Sequence, residues 1–337
     1  MNDGMGRREA ITLMAAGVLG AGATAAHVQN RGARMDQSKI RNGAGFYRFM
    51  FGPHEITVIS DGGWPVGSPH PTTGANTTKD AVYNVLRTAH LDPEDAWSNC
   101  NTMLVRSGGR TLLIDGGCGD LFGDTAGFQL AHLEALGISP DDITDVFVTH
   151  MHPDHVGGLY PDGNARFRRA RHTACSEEID FWRNDPDLSK MPFVTLGNDP
   201  AGVIEGAQAA INAMMLTPNR NGSIDHGDEV IPGVRVAELH GHTPGHCGVE
   251  LEHDGRRLRF IGDVATHHVL SFEHPEWYFQ FDAQPDRAVE TRRRLLSEAA
   301  DRGDLLVATH ISFPGVGTVQ RKGEKFQWIP TTWKWTP

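Results

Sequence analysis

One short segment of the chain concentrates side chains that could bind a metal ion. Residues 150–155 read His-Met-His-Pro-Asp-His, which places three imidazoles and one carboxylate within six positions. Neutral imidazole nitrogens and carboxylate oxygens suit zinc, and they also suit iron, cobalt or manganese. A polar surface loop with unrelated histidines would rarely reach this density. The segment therefore predicts a metal site that could support metal-assisted hydrolysis.

The residues before this segment indicate how the ligands would be held. Residues 145–149, Asp-Val-Phe-Val-Thr, form a short apolar run that is typical of a buried strand. Ligands that directly follow a rigid strand keep a fixed geometry. Pro153 is expected to exclude a helix here, so we predict that the ligands lie on a loop.

Three later residues repeat this order of a strand followed by a ligand. His242, Asp263 and His310 each come shortly after an apolar run. One such residue alone would be weak evidence. Four strand ends with ligands would instead gather these side chains at one edge of the sheets, and more than four ligands are what a site for two metal ions requires.

From Phe46 onwards, predicted strands alternate with predicted helices. The predicted strands cover residues 55–60, 102–105, 111–114, 145–149, 234–239, 247–251, 258–261 and 305–308, and the predicted helices cover residues 127–136, 201–215, 289–300 and a segment that contains Phe181 and Trp182. This order predicts a layered α/β protein, but periodicity alone does not choose among the α/β folds.

Composition and charge exclude some classes of partner. The chain has 337 residues, of which 39% are apolar, and a formal net charge of −11. Because an acidic surface repels phosphate backbones, we expect no nucleic-acid partner. We also expect no stable membrane insertion, because no apolar stretch is long enough to predict a membrane-spanning helix.

The cysteines give no sign of a metal or redox motif. Cys100, Cys118, Cys175 and Cys247 show no Cys-x-x-Cys spacing, so a zinc ribbon or a thioredoxin-like site is not indicated. Small buried apolar side chains are the favoured interpretation. One disulfide is the alternative if the protein is exported.

The N-terminus has features of an export signal. Arg7 and Arg8 precede an uncharged run rich in glycine and alanine, which is similar to a twin-arginine signal peptide. We therefore predict a signal over residues 1–26, a linker over residues 27–45 and a hydrolase domain over residues 46–337. The protein would then be periplasmic or secreted. It would be cytoplasmic if the first residues form an ordinary helix or tail.

Taken together, the motifs resemble the metallo-β-lactamase-fold hydrolase superfamily. The resemblance implies an α/β protein of the αββα type, a four-layer sandwich with two divalent metal ions at the edge of its paired sheets. Zinc is the first expectation for both ions, with iron, cobalt or manganese as alternatives. By position in the motifs, His150, His152 and His242 would hold one ion, Asp154, His155 and His310 the other, and Asp263 would bridge the two.

The same resemblance implies a reaction. A water shared by two metal ions becomes a hydroxide nucleophile near neutral pH, and Asp154 and Asp263 are the carboxylates expected to take part in catalysis. Asp115 matches a family aspartate that orients a metal-bound histidine. A non-catalytic metal-binding protein is the alternative from another functional class, and a missing ligand would favour it.

Other motifs are similar to one branch of this superfamily. Residues 46–50, 121–123 and 313–317 resemble methyl parathion hydrolases, a branch that also contains N-acyl-homoserine lactonases and arylesterases. This favours hydrolysis of a lactone or ester with an apolar or aromatic group, with an organophosphotriester as the alternative. A β-lactamase is disfavoured, because Asp263 stands where those enzymes typically have cysteine or serine. The resemblance also implies a homodimer.

The substrate pocket is predicted from the same branch. Phe122 and Trp182 align with aromatic residues that line the pocket, and Phe193 is a further candidate. Many lactonases have a tyrosine three residues after the bridging aspartate, where this chain has Thr266. Since threonine supplies no phenol, another group such as His267, or none, would assist the substrate carbonyl.

Overall fold

The computed structural model of the protein describes residues 45–218 and 222–334. The predicted signal and nearly all of the predicted linker lie outside these residues. The described strands are β1 (Phe46–Phe51), β2 (His54–Gly67), β3 (Ala96–Ser107), β4 (Arg110–Ile114), β5 (Asp145–Val148), β6 (Arg171–Cys175), β7 (Gly222–Ile224), β8 (Glu229–Ile231), β9 (Val234–Glu238), β10 (Cys247–His253), β11 (Arg256–Phe260), β12 (Leu305–Val307), β13 (Val316–Lys322) and β14 (Lys325–Pro330). The described helices are α1 (Lys79–Thr88), α2 (Gln129–Ala135), α3 (Pro153–Val156), α4 (Ser176–Arg183), α5 (Pro192–Thr195), α6 (Ala201–Met215), α7 (Leu270–Glu273) and α8 (Pro285–Arg302), and 3₁₀ turns cover Pro140–Asp142, Pro161–Gly163 and Gly262–Val264.

The described strands form two sheets that divide the chain into halves. The first contains β1 to β7 in sequence order, and the second contains β8 to β14 in the reverse order, from β14 across to β8. Strands β4 to β7 pair in parallel, as do β11 and β12, while the other pairs are antiparallel. Parallel neighbours end at the same edge, which is where ligands from several strands can meet.

Alternating side chains on these strands divide between the core that lies between the two sheets and the cores beneath the outer helices. In β4, Leu112 and Ile114 face the second sheet, whereas Leu113 faces the helices that cover the first sheet. The second sheet uses the same alternation, because Leu306 packs against α8 and the adjacent Val307 packs between the sheets. The layers are therefore helix, sheet, sheet and helix, which confirms the αββα sandwich.

The predicted elements are present, with two kinds of difference. The regular strands are longer than predicted at β2 and β3, because residues beyond the apolar run still pair across the two strands. The prediction of a loop at Pro153 was wrong, because α3 begins at this residue. Proline is tolerated at the first helical position, where its missing N–H would have no intrahelical partner. Asp154 and His155 therefore lie on a helical turn.

No helix among residues 45–218 and 222–334 combines the length and the apolar character needed to cross a bilayer.

Candidate metal centre and substrate cavity

Seven predicted ligands meet where strands from both sheets end. His150, His152, Asp154 and His155 follow β5 of the first sheet. The other three ligands, His242, Asp263 and His310, follow β9, β11 and β12 of the second sheet. The ends of these strands form the common edge that the sequence predicts, and the site is assembled across the two halves of the fold.

Three histidines form the first cluster. His150 Nε2 lies 3.1 Å from His152 Nδ1, and His242 Nε2 lies 2.9 Å from the same atom. All three rings are buried. Burial lowers the pKa of His150 and His152 well below the usual value for histidine, so both stay neutral and keep a lone pair for a cation.

The second cluster combines two imidazoles with two carboxylates. His310 Nε2 lies 3.2 Å from Asp154 Oδ2 and 3.1 Å from Asp263 Oδ2. His155 Nε2 lies 3.2 Å from Asp263 Oδ1. On its other carboxylate oxygen, Asp263 also lies 3.4 Å from His242 Nε2 of the first cluster. Asp263 is thus the residue that touches both clusters.

The electrostatics of the second cluster favour a bound cation. Burial by itself would lower the pKa of His155 and His310, but the carboxylates of Asp263 and Asp154 raise it well above the usual value. This region therefore attracts positive charge. His155 Nε2 and Asp263 Oδ1 are also buried without a hydrogen-bond partner, although they face each other. Two divalent cations fit these clusters, and the mixed nitrogen and oxygen donors suit zinc.

Buried acceptors orient four of the metal-facing imidazoles. His155 Nδ1 donates to Asp115 Oδ2 at 2.8 Å, and His242 Nδ1 donates to Asp282 Oδ1 at 3.0 Å. His310 Nδ1 donates to the carbonyl oxygen of Asn99 at 2.7 Å, and His150 Nδ1 lies 3.1 Å from Thr149 Oγ1. Each contact leaves Nε2 facing the cluster, as required of a ligand.

Asp115 contacts His155, as its expected orienting role requires, and it makes further hydrogen bonds. Its carboxylate also accepts hydrogen bonds from Thr149 N at 2.8 Å and from Thr149 Oγ1 at 2.9 Å. Asp115 itself adopts a left-handed conformation with φ of 61°, which aspartate tolerates better than most residues. It therefore fixes the end of β5 and the His155 ring together.

Glu178 is a buried carboxylate that the sequence analysis did not identify. Its Oε1 accepts from Met151 N at 2.8 Å and from Trp182 Nε1 at 2.7 Å, while Oε2 accepts from the hydroxyl of Thr243. Met151 lies between two ligands of the first half, and Thr243 directly follows His242. Glu178 thus joins the ligand loops of the two sheets. It reaches both loops because it lies in the first turn of α4.

Close backbone contact explains the glycines around His242. Gly241 has φ of 130°, and a Cβ at this position would collide with the backbone of Ala288. A Cβ at Gly245 would collide with the backbone of Glu178. Only glycine fits at either position. The loop that carries His242 can therefore pack closely against α8 at Gly241 and against α4 at Gly245.

A cavity with five tryptophan and phenylalanine side chains in its lining opens directly onto these ligands. It is lined by Trp64, Val66, Pro69, Thr72, Thr73, Ala96, Trp97, Ser98, Phe122, His152, Pro153, Asp154, Val203, Asp263, Thr266, His267, Phe279, Phe281 and His310. The predicted pocket residues Phe122, Thr266 and His267 are among them. An apolar group of a substrate would lie against the rings while its polar end reaches the ligands.

The structure places the other two predicted pocket residues behind this lining. Trp182 is fully buried, and its ring packs edge-on against His152 with centroids 5.8 Å apart. Phe193 packs against Phe281, which does line the cavity, with centroids 5.2 Å apart. Trp182 and Phe193 therefore support residues of the site and do not contact its open space.

The cysteines form two pairs of different kinds. Cys175 ends β6 and Cys247 begins β10, and a disulfide joins them with Cα atoms 6.7 Å apart. Cys100 and Cys118 are free and buried beside Asp61. Both oxygens of Asp61 already accept backbone N–H groups, from Cys118 at 2.7 Å and Gly127 at 3.2 Å on one and from Gln129 at 2.7 Å on the other. This carboxylate thus organises the loop that carries Phe122.

Comparison with known proteins identifies the same architecture. Residues 95–310 match the family model of the metallo-beta-lactamase superfamily. Among solved structures, the hydrolase AbOPH of the beta lactamase superfamily is 33% identical, with a TM-score of 0.79 over 87% of this chain and 100% of that chain. AidC, a dizinc quorum-quenching lactonase solved with the product N-hexanoyl-L-homoserine, is 25% identical, with a TM-score of 0.80 over 86% of this chain and 99% of that chain.

Curated relatives match over a shorter region. An N-acyl homoserine lactonase of Bacillus cereus is 24% identical over 155 residues, which is 45% of this chain and 50% of the relative. A second, from Bacillus thuringiensis, is 26% identical over 168 residues, which is 48% of this chain and 54% of the relative. The chain spans about half the length of the curated relatives it matches.

Proposed function

We propose that this chain, which belongs to the metallo-beta-lactamase superfamily, is a dinuclear metal-dependent hydrolase that cleaves lactones or other carboxylic esters. The observation that carries this proposal is that the cluster of metal ligands and the aromatic side chains border one cavity. Four of the seven ligands, His152, Asp154, Asp263 and His310, line the same cavity as the aromatic rings. A substrate held by its apolar group would therefore present its reacting carbon to the metal centre.

The residues of this chain divide the work of such a reaction. When bound, two divalent cations would supply a water activated near neutral pH and would polarise the substrate oxygen. His150, His152 and His242 would hold one cation, and Asp154, His155 and His310 the other, with Asp263 between them. Asp115 and Asp282 would keep His155 and His242 in the tautomer that leaves Nε2 free.

Lactones with an apolar acyl chain are the preferred substrate class. The Bacillus relatives are N-acyl homoserine lactonases. AidC is a quorum-quenching lactonase, and it shares the fold over nearly the whole described chain. The cavity supports this choice, because rings such as Phe122, Phe279 and Phe281 would cover an acyl chain. Aryl esters fit the same surfaces.

An organophosphotriester is the alternative substrate. The observation in its favour is the number of aromatic rings around the metal centre, which would stack on an aromatic leaving group as well as on an acyl chain. Two metal ions also stabilise the developing charge on a phosphoryl oxygen.

We also propose that the protein is exported and that it forms a homodimer. The arginine pair near the N-terminus supports export, and the disulfide between Cys175 and Cys247 fits an oxidising compartment. Fractionation of cells that express the full chain would test export, with an Arg7→Lys, Arg8→Lys variant expected to stay in the cytoplasm. Light scattering of the purified protein would test for a homodimer.

One assay tests the proposed activity. The zinc-loaded protein is offered N-hexanoyl-homoserine lactone, p-nitrophenyl butyrate and methyl parathion at equal concentrations. We expect turnover of the lactone or the ester to be fastest. Turnover of methyl parathion alone would replace the preferred class by the alternative, and turnover of none by a fully loaded protein would contradict hydrolysis of all three classes.

A further inference from the structure

The orientation of His267 is fixed by the helix that follows it. His267 Nδ1 accepts hydrogen bonds from Val269 N at 3.1 Å and from Leu270 N at 3.2 Å, at the beginning of α7. An imidazole nitrogen that accepts a hydrogen bond carries no proton. The single proton of the neutral ring is therefore on Nε2, which makes this atom a donor.

His267 also stays neutral over the physiological range. Burial lowers its pKa to about 3, and the neighbouring His268, whose ring stacks on it with centroids 4.9 Å apart, contributes in the same direction. The tautomer defined by the α7 contacts is therefore the form present at neutral pH. A protonated ring would lose both of these hydrogen bonds.

His267 borders the cavity that opens onto the metal ligands, and it also borders a second cavity together with His268 and His310. The ring lines the same cavity as Asp154, Asp263 and His310. Within the described residues, Nε2 makes no hydrogen bond, and it is not among the fully buried polar atoms. The Ser98 hydroxyl also lines this cavity, where it lies 3.1 Å from His310 Nδ1.

We propose that His267 is a catalytic residue whose Nε2–H donates a hydrogen bond to the substrate oxygen that gains negative charge during hydrolysis. The proton stays on Nε2 throughout, so His267 stabilises charge and transfers nothing. A fixed donor in a largely apolar cavity is effective in this role because it needs no reorganisation when the charge appears. The inference rests on the proposed function and names the group that assists the substrate oxygen at this site.

Two substitutions separate this role from the capping of α7. In His267→Asn, the side-chain oxygen takes the position of Nδ1 and can still accept from Val269 and Leu270, but no donor reaches the position of Nε2. In His267→Gln, the side-chain amide reaches the position of Nε2 and keeps a donor there, while the Nδ1 acceptor is lost.

The test measures kcat and KM on the fastest substrate, together with Tm and zinc content. We expect His267→Asn to keep its Tm and zinc and to lose about tenfold to a hundredfold in kcat, less than a lone oxyanion donor because two cations share the charge. His267→Gln should keep most of kcat and lose thermal stability. The opposite pattern, with activity kept in His267→Asn, would overturn the proposal and leave only a capping role.

A binding measurement decides the question independently of turnover. Phenylphosphonate carries its negative oxygens on a tetrahedral centre, and calorimetry gives its affinity for each zinc-loaded protein. We expect His267→Asn to bind it about fivefold more weakly than wild type, the effect of one hydrogen bond, and His267→Gln to bind it nearly as well. Equal affinity of wild type and His267→Asn, or no binding to wild type, contradicts the inference even if the wild-type enzyme hydrolyses none of the three substrates.

Discussion

The floor and the walls of the site are built in different ways. The floor, meaning the seven ligands, comes from residues that directly follow four strands, and buried acceptors such as Asp115 and Asp282 hold its rings. The walls, meaning the apolar side chains that line the cavity, come from the protruding ends of β2 and β3, from α6 and from the segments before α2 and α8. The floor can therefore keep one chemistry while the walls change the substrate.

Substitution of the floor should give the largest effect. Among residues 45–218 and 222–334, Asp263 is the only carboxylate that touches both clusters, and we expect Asp263→Ala to lower kcat by about a thousandfold or more with little change in the fold. His152→Ala should do the same through the first cluster. Elemental analysis, activity and circular dichroism would be measured together. Full activity in either variant would contradict the two-metal mechanism.

Glu178 tests whether the floor depends on a residue that binds neither metal nor substrate. Glu178→Gln keeps the size of the side chain but replaces one acceptor oxygen by a donor, so at least one contact to Met151, Trp182 or Thr243 is lost. We expect zinc affinity to fall about tenfold to a hundredfold, measured by competition with a chelator. The neighbouring Glu177→Gln, on a half-exposed side chain, is the matched control and should bind zinc as wild type does.

The walls should control affinity and preference without affecting the metals. Phe122→Ala removes one aromatic surface, and we expect KM for a long-chain lactone to rise about tenfold while zinc content stays the same. Trp182→Phe is the informative contrast. It removes the hydrogen bond to Glu178 from a ring outside the cavity, so stability should fall by about 1–3 kcal/mol without a change in chain-length preference. A shift in preference would place Trp182 in the wall after all.

The disulfide should have the smallest effect on activity. Cys175→Ser with Cys247→Ser opens a link between the two sheets across a sequence separation of 72. We expect the free energy of unfolding to fall by about 2–4 kcal/mol, measured by urea denaturation, because the unfolded chain gains freedom. Specific activity per bound zinc should stay within about twofold, as the cavity contains neither residue. A large loss would show that the floor depends on this link.

Sequence was sufficient to predict that the seven side chains of the floor meet, because the information for this is local. Each ligand stands a few residues after an apolar run, as His310 does after β12. A residue so close to the end of a strand can occupy only a small region near the edge of the sheet. Asp115 was found for the same reason. The loop predicted at Pro153 was wrong because proline, which often ends a helix, is also suited to begin one.

The supporting contacts could not be predicted because they join distant parts of the chain. Glu178 and Thr243 are 65 positions apart, and the disulfide partners are 72 apart. The direction of the Trp182 ring could not be predicted either. Its spacing in α4 gives an aromatic residue near the site, but only the packing of His152 and Glu178 around it decides that the ring faces inwards.

Assembly of the site across both sheets makes the metal centre a sensor of completed folding. The first cluster needs His242 from the second half in addition to His150 and His152 from the first, and the second cluster needs His310 in addition to Asp154 and His155. Neither half alone contains a full set of ligands for either ion. We therefore expect tight metal retention to require that the two halves of the fold have docked.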